Sequence, residues 1–390
     1  MTHLMIGMDA LDSLGGVQSV IRILAGAFDD DGDRVELVEI EPANPRFDLL
    51  TVPPLPRYTL SPVPTALPYE PTTAVRTAKL VVRGYRDGLR IRKAGVRALT
   101  GLATAHPEAV WLLMQWRLVE MAVDAGLGRR VIGQYHDCVT TAAANGDLAR
   151  IIRTGPHLAA TCALTEADAA RLREHGVPRV YAVTNPVPRP PAAPDAAVRT
   201  DTVVAAGRFV PQKNFVSLVR AWGLLGGART GWRLRIIGAG PQEREIREAV
   251  TRVGVADSVT VEPPRTDLPD VLRSASLYAM SSRHEGLPMV LTEAMALGVP
   301  FVSTPCSAGV AELADGARAG LLARTHAPAD LAATIARALT DPSLRAELGA
   351  HGRQLIGGRE PGAVIGHWRT LFVELGMTDD STTDTKTAPL

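Results

Sequence analysis

The pattern that most restricts this chain is a strand–helix alternation that runs twice. The two runs are separated by VTNPVPRPPAAPDAAVRT (183–200), which is rich in proline and almost devoid of large apolar side chains. Proline fixes φ and lacks a backbone donor, so this stretch reads as a linker, not as helix or central strand. Before it, HLMIGM (3–8), RVELVEI (34–40), AVWLLMQ (109–115), RRVIGQYHD (129–137) and HLAATCAL (157–164) read as strands. DSLGGVQSVIRILAGAF (12–28) passes through paired glycines into an amphipathic helix. After it, TVVAAGRF (202–209), WRLRIIGAG (232–240), SVTVEPP (258–264), LYAMSS (277–282) and PFVST (300–304) read as strands. FVSLVRAWGLL (215–225) and PQEREIREAVTRVG (241–254) read as helices, the second with proline at its first position. Two such blocks predict an α/β protein with two doubly wound parallel sheets. Ligands of such sheets lie beyond the carboxyl ends of the strands, so the cleft between the two becomes the expected site. The divisions are 1–185, a linker at 186–200, 201–360, a helix at 361–376 crossing back to the first block, and a tail at 377–390 expected to be disordered. Residues 52–72 carry seven prolines and are expected to form neither regular helix nor central strand.

Composition excludes several classes. The chain is 390 residues long and 46% hydrophobic, which suits two cored domains. A net charge of +1 gives no sign of a nucleic-acid partner. Cys138, Cys162 and Cys306 form neither an even set nor a C-x-x-C pair, so no disulfide framework or zinc site is suggested. The amino-terminal residues lack the pattern of a signal peptide, and no apolar run is long enough to span a bilayer. A cytoplasmic location is expected, with peripheral contact at the inner membrane face left open.

The chemistry concentrates in RHEGLPMVLTEAMALG (283–298). A helix from about 288 to 297 would present the free N–H groups of Met289, Val290 and Leu291 at its start, which makes an anion site from backbone and dipole. Glu285 lies just upstream and Glu293 inside that helix, so two carboxylates could flank one ligand bearing both phosphates and hydroxyls. AAGRFVPQKNF (205–215) places Arg208 after a strand, behind Gly207, with Lys213 further along the same loop. Two cations there would neutralise a pyrophosphate. Gly15-Gly16 follows the first strand and permits close backbone approach from the opposite domain. His136 ends a strand facing the same cleft.

Taken together and in order, these residues resemble those of retaining nucleotide-sugar glycosyltransferases of glycosyltransferase family 4, whose two Rossmann-like domains form the GT-B fold. The matching features are Glu285 and Glu293, the run Gly207-Arg208 to Lys213, the G-x-G-P at 238–241, the early Gly-Gly loop, His136-Asp137 and Asn185-Pro186. The resemblance covers nearly the whole chain except the proline-rich insert and the tail. It implies that residues 1–185 face the acceptor and 201–360 hold the donor nucleotide. It also implies that Glu293 holds the ribose hydroxyls, and that Glu285, with the N–H groups of Gly286 and Leu287, holds the donor sugar. Gly16, Arg208, Lys213 and the Met289 and Val290 amides would hold the diphosphate. Gly240 and the loop at 263–265 would lie near the base, and His136 near the transferred sugar. No metal or cofactor is implied beyond the nucleoside-diphosphate sugar itself, a UDP-sugar or, next, GDP-mannose. The implied mechanism is front-face substitution with retention. After Glu293 the family pattern leads to a Gly-Gly-x-x-Glu turn; here the chain reads TPCSAGVAEL (304–313), with only Gly309 and Glu312 in common.

Other readings stand beside this one. An epimerase or hydrolase of the same fold, and a catalytically silent sugar-nucleotide-binding protein, share the same residues. His136 equally suits an ordinary histidine at a strand end. The acceptor is unassigned among a natural product, a cell-wall polymer and a lipid-linked sugar. Basic residues at 76, 79, 83, 86, 90, 93 and 97 form a helical stripe that could meet water, an anionic membrane or an acidic acceptor.

Overall fold

The computed structural model describes residues 1–11, 15–40, 55–60, 74–188 and 199–378, with backbone alone over 74–87. The first domain begins with β1 (His3–Met8), α1 (Gly16–Asp30), β2 (Arg34–Glu39) and β3 (Arg57–Thr59). It continues through α2 (Ala74–Ala105), β4 (Val110–Leu113), α3 (Trp116–Asp124), β5 (Val131–Gln134), α4 (Val139–Asn145) and α5 (Asp147–Thr154). It closes with β6 (Ala160–Ala163), α6 (Glu166–Glu174) and β7 (Val180–Ala182).

The second domain opens with β8 (Thr200–Ala206), α7 (Phe215–Leu224), β9 (Arg233–Ile237), α8 (Glu243–Val253) and β10 (Val259–Glu262). α9 (Leu268–Ser274), β11 (Ala275–Met280), α10 (Met289–Ala296), β12 (Phe301–Ser303), α11 (Ala308–Ala314) and β13 (Gly320–Leu322) follow. α12 (Pro328–Thr340) and α13 (Pro342–Ile356) complete it, and α14 (Pro361–Glu374) ends the described chain.

Both sheets are parallel. Their orders are β3-β2-β1-β4-β5-β6-β7 and β10-β9-β8-β11-β12-β13. Each chain path therefore reverses once, at β1/β4 and at β8/β11, and opens a crevice at the carboxyl ends of those strands. β1, β4, β5, β6 and β11 are buried along their whole length, as expected where helices cover both faces of a parallel sheet.

The last helix returns to the first domain. Val364, Ile365, Trp368, Leu371 and Phe372 join the cluster of β1 and α1, and Phe372 stacks on Phe28 with ring centroids 6.2 Å apart. Arg369 ties it to Asp31 and Asp33. Among these same side chains lies Met289 of α10, so the second domain plugs into the first domain's apolar cluster.

Several boundaries differ from the sequence reading. α8 starts at Glu243 with Gln242 as its cap, so Pro241 lies outside it. α10 starts at Met289, and Pro288 is its extended N-cap residue, not its first helical one. β5 stops at Gln134, which leaves His136 in the following loop. Within the proline-rich stretch, β3 is a short strand on the sheet edge, the position where missing donors cost least. Residues 61–73, 189–198 and the tail from 379 lie outside the described residues.

Candidate active site

The two crossover loops of the second sheet meet at its reversal point. The loop after β8 carries Gly207, Arg208 and Lys213, and the loop after β11 carries Ser281 to Leu287. They are laced together: the Arg283 N–H donates to the Gln212 carbonyl, Gln212 Nε2 to the His284 carbonyl, and Ser281 Oγ to the Lys213 carbonyl. Gly240 sits at φ +152°, and a Cβ there would lie 2.6 Å from the Phe209 carbonyl oxygen. Its observed role is thus to let the 238–240 turn lie flat on the Arg208–Phe209 backbone.

Lys213 Nζ pairs with Glu285 Oε1 at 2.6 Å, and Ser282 Oγ donates to the same oxygen at 2.6 Å. Thr304 Oγ1 in turn donates to the Ser282 carbonyl. Glu285 is only 7% exposed, so its charge is compensated by lysine and hydroxyl together. With Oε1 engaged twice, Oε2 is the oxygen left for a ligand hydroxyl. The sequence reading gave Lys213 and Glu285 separate tasks; here they are one ion pair. Ser282 and Thr304, which hold it, carry no local motif and were not singled out.

Next to this pair, the N–H groups of Gly286, Leu287, Met289 and Val290 have no acceptor among the described residues. Leu291 is the exception to the expected set, since its N–H donates to the Pro288 carbonyl at 3.1 Å. Two further loop amides and two at the start of α10 thus remain for an anion or a sugar oxygen. Arg208, in the loop after β8, is exposed.

The first domain closes the other side. Gly16 opens α1, and a Cβ on it would contact Met289 Cγ at 3.6 Å. Gly286 packs against the backbone of His136 and Asp137, where a Cβ would lie 2.9 Å from Asp137 Cα. His136 Nε2 is enclosed and has no hydrogen-bond partner among the described residues. Burial lowers the pKa of its ring to about 3, so the imidazole is neutral at physiological pH. Burial likewise raises the Asp137 carboxyl, against the pull of the Cys138 N–H and of His284.

Glu293 faces Arg22 of α1 across the cleft. Burial pushes the Glu293 carboxyl up while Arg22 draws it down; burial lowers Arg22 while Glu293 raises it. Arg22 is a site residue that sequence reasoning missed; its position in the helix after Gly16 was the available signal. A further group spans the domain junction. Arg359 donates to Thr184 Oγ1 and Glu312 Oε1, while Asn185 Oδ1 is buried without a partner among the described residues.

The class defined by two facing doubly wound parallel domains with a site at the second sheet's reversal is the GT-B fold. Residues 200–341 match the family described as glycosyl transferases group 1. An uncharacterized glycosyltransferase of Haemophilus influenzae is 27% identical over 230 residues, 57% of this chain and 65% of that protein. Across three curated relatives, this chain spans 24% to 65% of their own length. HepE of Anabaena, solved with UDP-glucose, superposes with a TM-score of 0.75 at 16% identity, over 97% of this chain and 100% of that one. TarM of S. aureus, solved with UDP and alpha-GlcNAc-glycerol among its ligands, gives 0.75 at 13% identity, over 95% and 100%.

Proposed function

We propose that this protein is a retaining glycosyltransferase of family 4 that moves a hexose-type sugar from a nucleoside-diphosphate sugar to an acceptor hydroxyl. The observation that carries the reading is one crevice in which the Lys213–Glu285 pair and four amides without an acceptor among the described residues meet Gly16 and His136, with exposed Arg208 on the same loop as Lys213. Such a set suits a ligand that is anionic at one end and rich in hydroxyls at the other. A UDP-sugar is the favoured donor, supported by the nucleotides bound to HepE and TarM; GDP-mannose is next.

In this reading Arg208, Lys213 and the Met289 and Val290 amides bind the diphosphate and stabilise the charge it gains on leaving. They supply the positive charge that a divalent ion supplies elsewhere, so turnover is expected to be independent of added Mg²⁺ or Mn²⁺. Glu293 accepts from the ribose hydroxyls, and its charged form is favoured once Arg22 and the ligand surround it. Glu285 Oε2 accepts from a sugar hydroxyl. Its Oε1 is already bonded to Lys213 and Ser282, which makes it a positioning acceptor and a poor nucleophile. A front-face path fits this: the acceptor oxygen bonds to the anomeric carbon as the bond to the β-phosphate oxygen breaks. The acceptor's proton passes to that departing oxygen. Neutral His136 lies beside the sugar as a hydrogen-bonding partner.

The acceptor is placed at the first domain, its identity open among a natural product, a cell-wall polymer and a lipid-linked sugar. Peripheral contact of α2 with anionic lipid belongs to the same proposal. Lys93 and Arg97 of its stripe are exposed, while Arg92 pairs with Asp124 at 2.6 Å. No helix among the described residues is long and apolar enough to cross a membrane.

The test is calorimetric titration with UDP, GDP and their sugars, then turnover with the tightest donor. Arg208→Ala should weaken nucleoside-diphosphate binding at least about 10-fold, the worth of a charge-assisted contact, while UMP binding changes less. Equal loss for the diphosphate and the monophosphate, or no loss, would remove Arg208 from the diphosphate site.

A further inference from the structure

At the opposite end of the first domain, away from the crevice, three side chains from distant parts of the chain converge. His3 opens β1, Glu36 lies in β2, and His106 follows α2. His3 Nε2 stands 3.4 Å from Glu36 Oε1, and His106 Nε2 stands 3.9 Å from Glu36 Oε2. The two imidazole rings meet edge to face, centroids 4.9 Å apart. One ligand atom from each residue lies within 4.8 Å of the other two.

Two of these polar atoms are left without partners although their residues are deeply buried. His3 is 8% exposed and Glu36 2%, yet His3 Nε2 and Glu36 Oε2 find no hydrogen bond among the described residues. Arg34 Nη2 engages Glu36 Oε1 at 2.6 Å, and Tyr58 also hydrogen-bonds that carboxylate. His3 Nδ1 meets Glu108 Oε1 at 2.9 Å. The Glu108 carboxylate can only accept, so His3 Nδ1 carries the proton of that contact, and Nε2 is turned toward Glu36 without a hydrogen bond among the described residues. A buried ring nitrogen and a buried carboxylate oxygen without partners, with a second imidazole 3.9 Å from that oxygen, suit a shared cation, either a metal ion or a proton. A carboxylate behind one imidazole nitrogen, with the other nitrogen free, is also the usual support for a metal-ligating histidine.

We propose that His3, Glu36 and His106 form a binding site for a divalent transition metal, Zn²⁺ by ligand type, separate from the crevice. Two imidazoles and one carboxylate oxygen are a zinc-like set, with a water completing four-coordination. Zn²⁺ at about 2.0–2.1 Å from each atom sets neighbouring ligands roughly 3.3–3.5 Å apart. His106 Nε2 stands 3.9 Å from Glu36 Oε2, and one atom of each residue lies within 4.8 Å of the others, so side-chain rotations must draw the ligands together, with Glu36 Oε2 as the ligand oxygen because Arg34 holds Oε1. The ion would clamp β1, β2 and the α2–β4 connection together. The site is argued from its own geometry and does not rest on the proposed transferase activity.

The test uses the untagged full chain, stripped with chelator, dialysed and titrated with ZnCl₂ by calorimetry, with elemental analysis of unstripped protein. One Zn²⁺ per chain is expected, and Co²⁺ should give the visible bands of a four-coordinate site. His106→Ala should weaken binding at least about 10-fold, and Glu108→Leu, a surface change that removes the acceptor of His3 Nδ1, about 10- to 100-fold through loss of ring orientation. His351→Ala, a histidine paired with Asp315 elsewhere, should bind as the parent does. Circular dichroism checks that each variant is folded; should His106→Ala fail that check, Glu108→Leu decides. Binding well below one equivalent, or parent-like affinity in the informative variant, overturns the site and leaves a proton as the shared cation.

Discussion

Replacing Gly286 by alanine tests whether the crevice works only when closed. A Cβ at this position would sit 2.9 Å from Asp137 Cα, inside the comfortable carbon–carbon separation of about 3.5–4.0 Å. The two backbones must therefore part locally by about 0.6–1.1 Å. Neither can yield by rotating a side chain, since both surfaces are main chain. Gly309 reinforces the contact from behind, a Cβ there meeting the Gly286 carbonyl oxygen at 2.6 Å. The displaced loop carries Glu285 and the amides of Gly286 and Leu287, while the other side carries His136. A misplacement of about 1 Å between reacting partners costs on the order of 100-fold in rate. Gly286→Ala should lower kcat about 100-fold while nucleoside-diphosphate affinity falls much less, because Arg208, Lys213 and α10 stay together in the second domain. Steady-state transfer with the best donor, beside calorimetric titration of the nucleotide, measures both. A variant turning over within a few-fold of the parent would show that the closed contact is not the productive geometry.

Three further outcomes follow from single contacts. Lys213→Met strands the Glu285 carboxylate with only Ser282, and urea unfolding should show a loss of about 2–3 kcal/mol, largely recovered when Glu285→Gln is added. His136 has its folded pKa, about 3, below the ordinary value of about 6.5. Its contribution to stability is therefore full above pH 6.5 and lost as pH falls toward 3, at up to about 1.4 kcal/mol per unit. His136→Gln should flatten that part of the stability–pH curve, and an unchanged slope would place the ring in water. Trp368→Ala removes a fully buried ring from between α14 and the first domain and should cost about 3–5 kcal/mol by chemical denaturation.

Much of this molecule was legible because its signals are local. The apolar runs of β1, β8 and β11, the amphipathic start of α1 and the proline-rich divider each span a few adjacent residues. Gly207, Arg208, Lys213, Glu285 and Glu293 stood out for the same reason, lying in two short loops at strand ends. β7 and β13 carry no readable signal, since each is three residues without a longer apolar run around it, and α3 to α6 and α11 to α13 are not marked off by local sequence. Pro241 and Pro288 were placed inside helices because proline favours the first helical position, whereas the chain uses them just before it.

The order of residues by itself determined two alternating domains and the chemical types at the second sheet's reversal point. Only the tertiary structure decided who meets whom. Lys213 and Glu285 are 72 residues apart and become one ion pair. Arg22 comes to face Glu293, Gly286 comes to touch His136, and His3, Glu36 and His106 come together from separate elements. Periodicity reports which face of an element is buried, and burial acts residue by residue. Pairing across the fold depends on strand order and on the docking of whole domains, which no local stretch encodes.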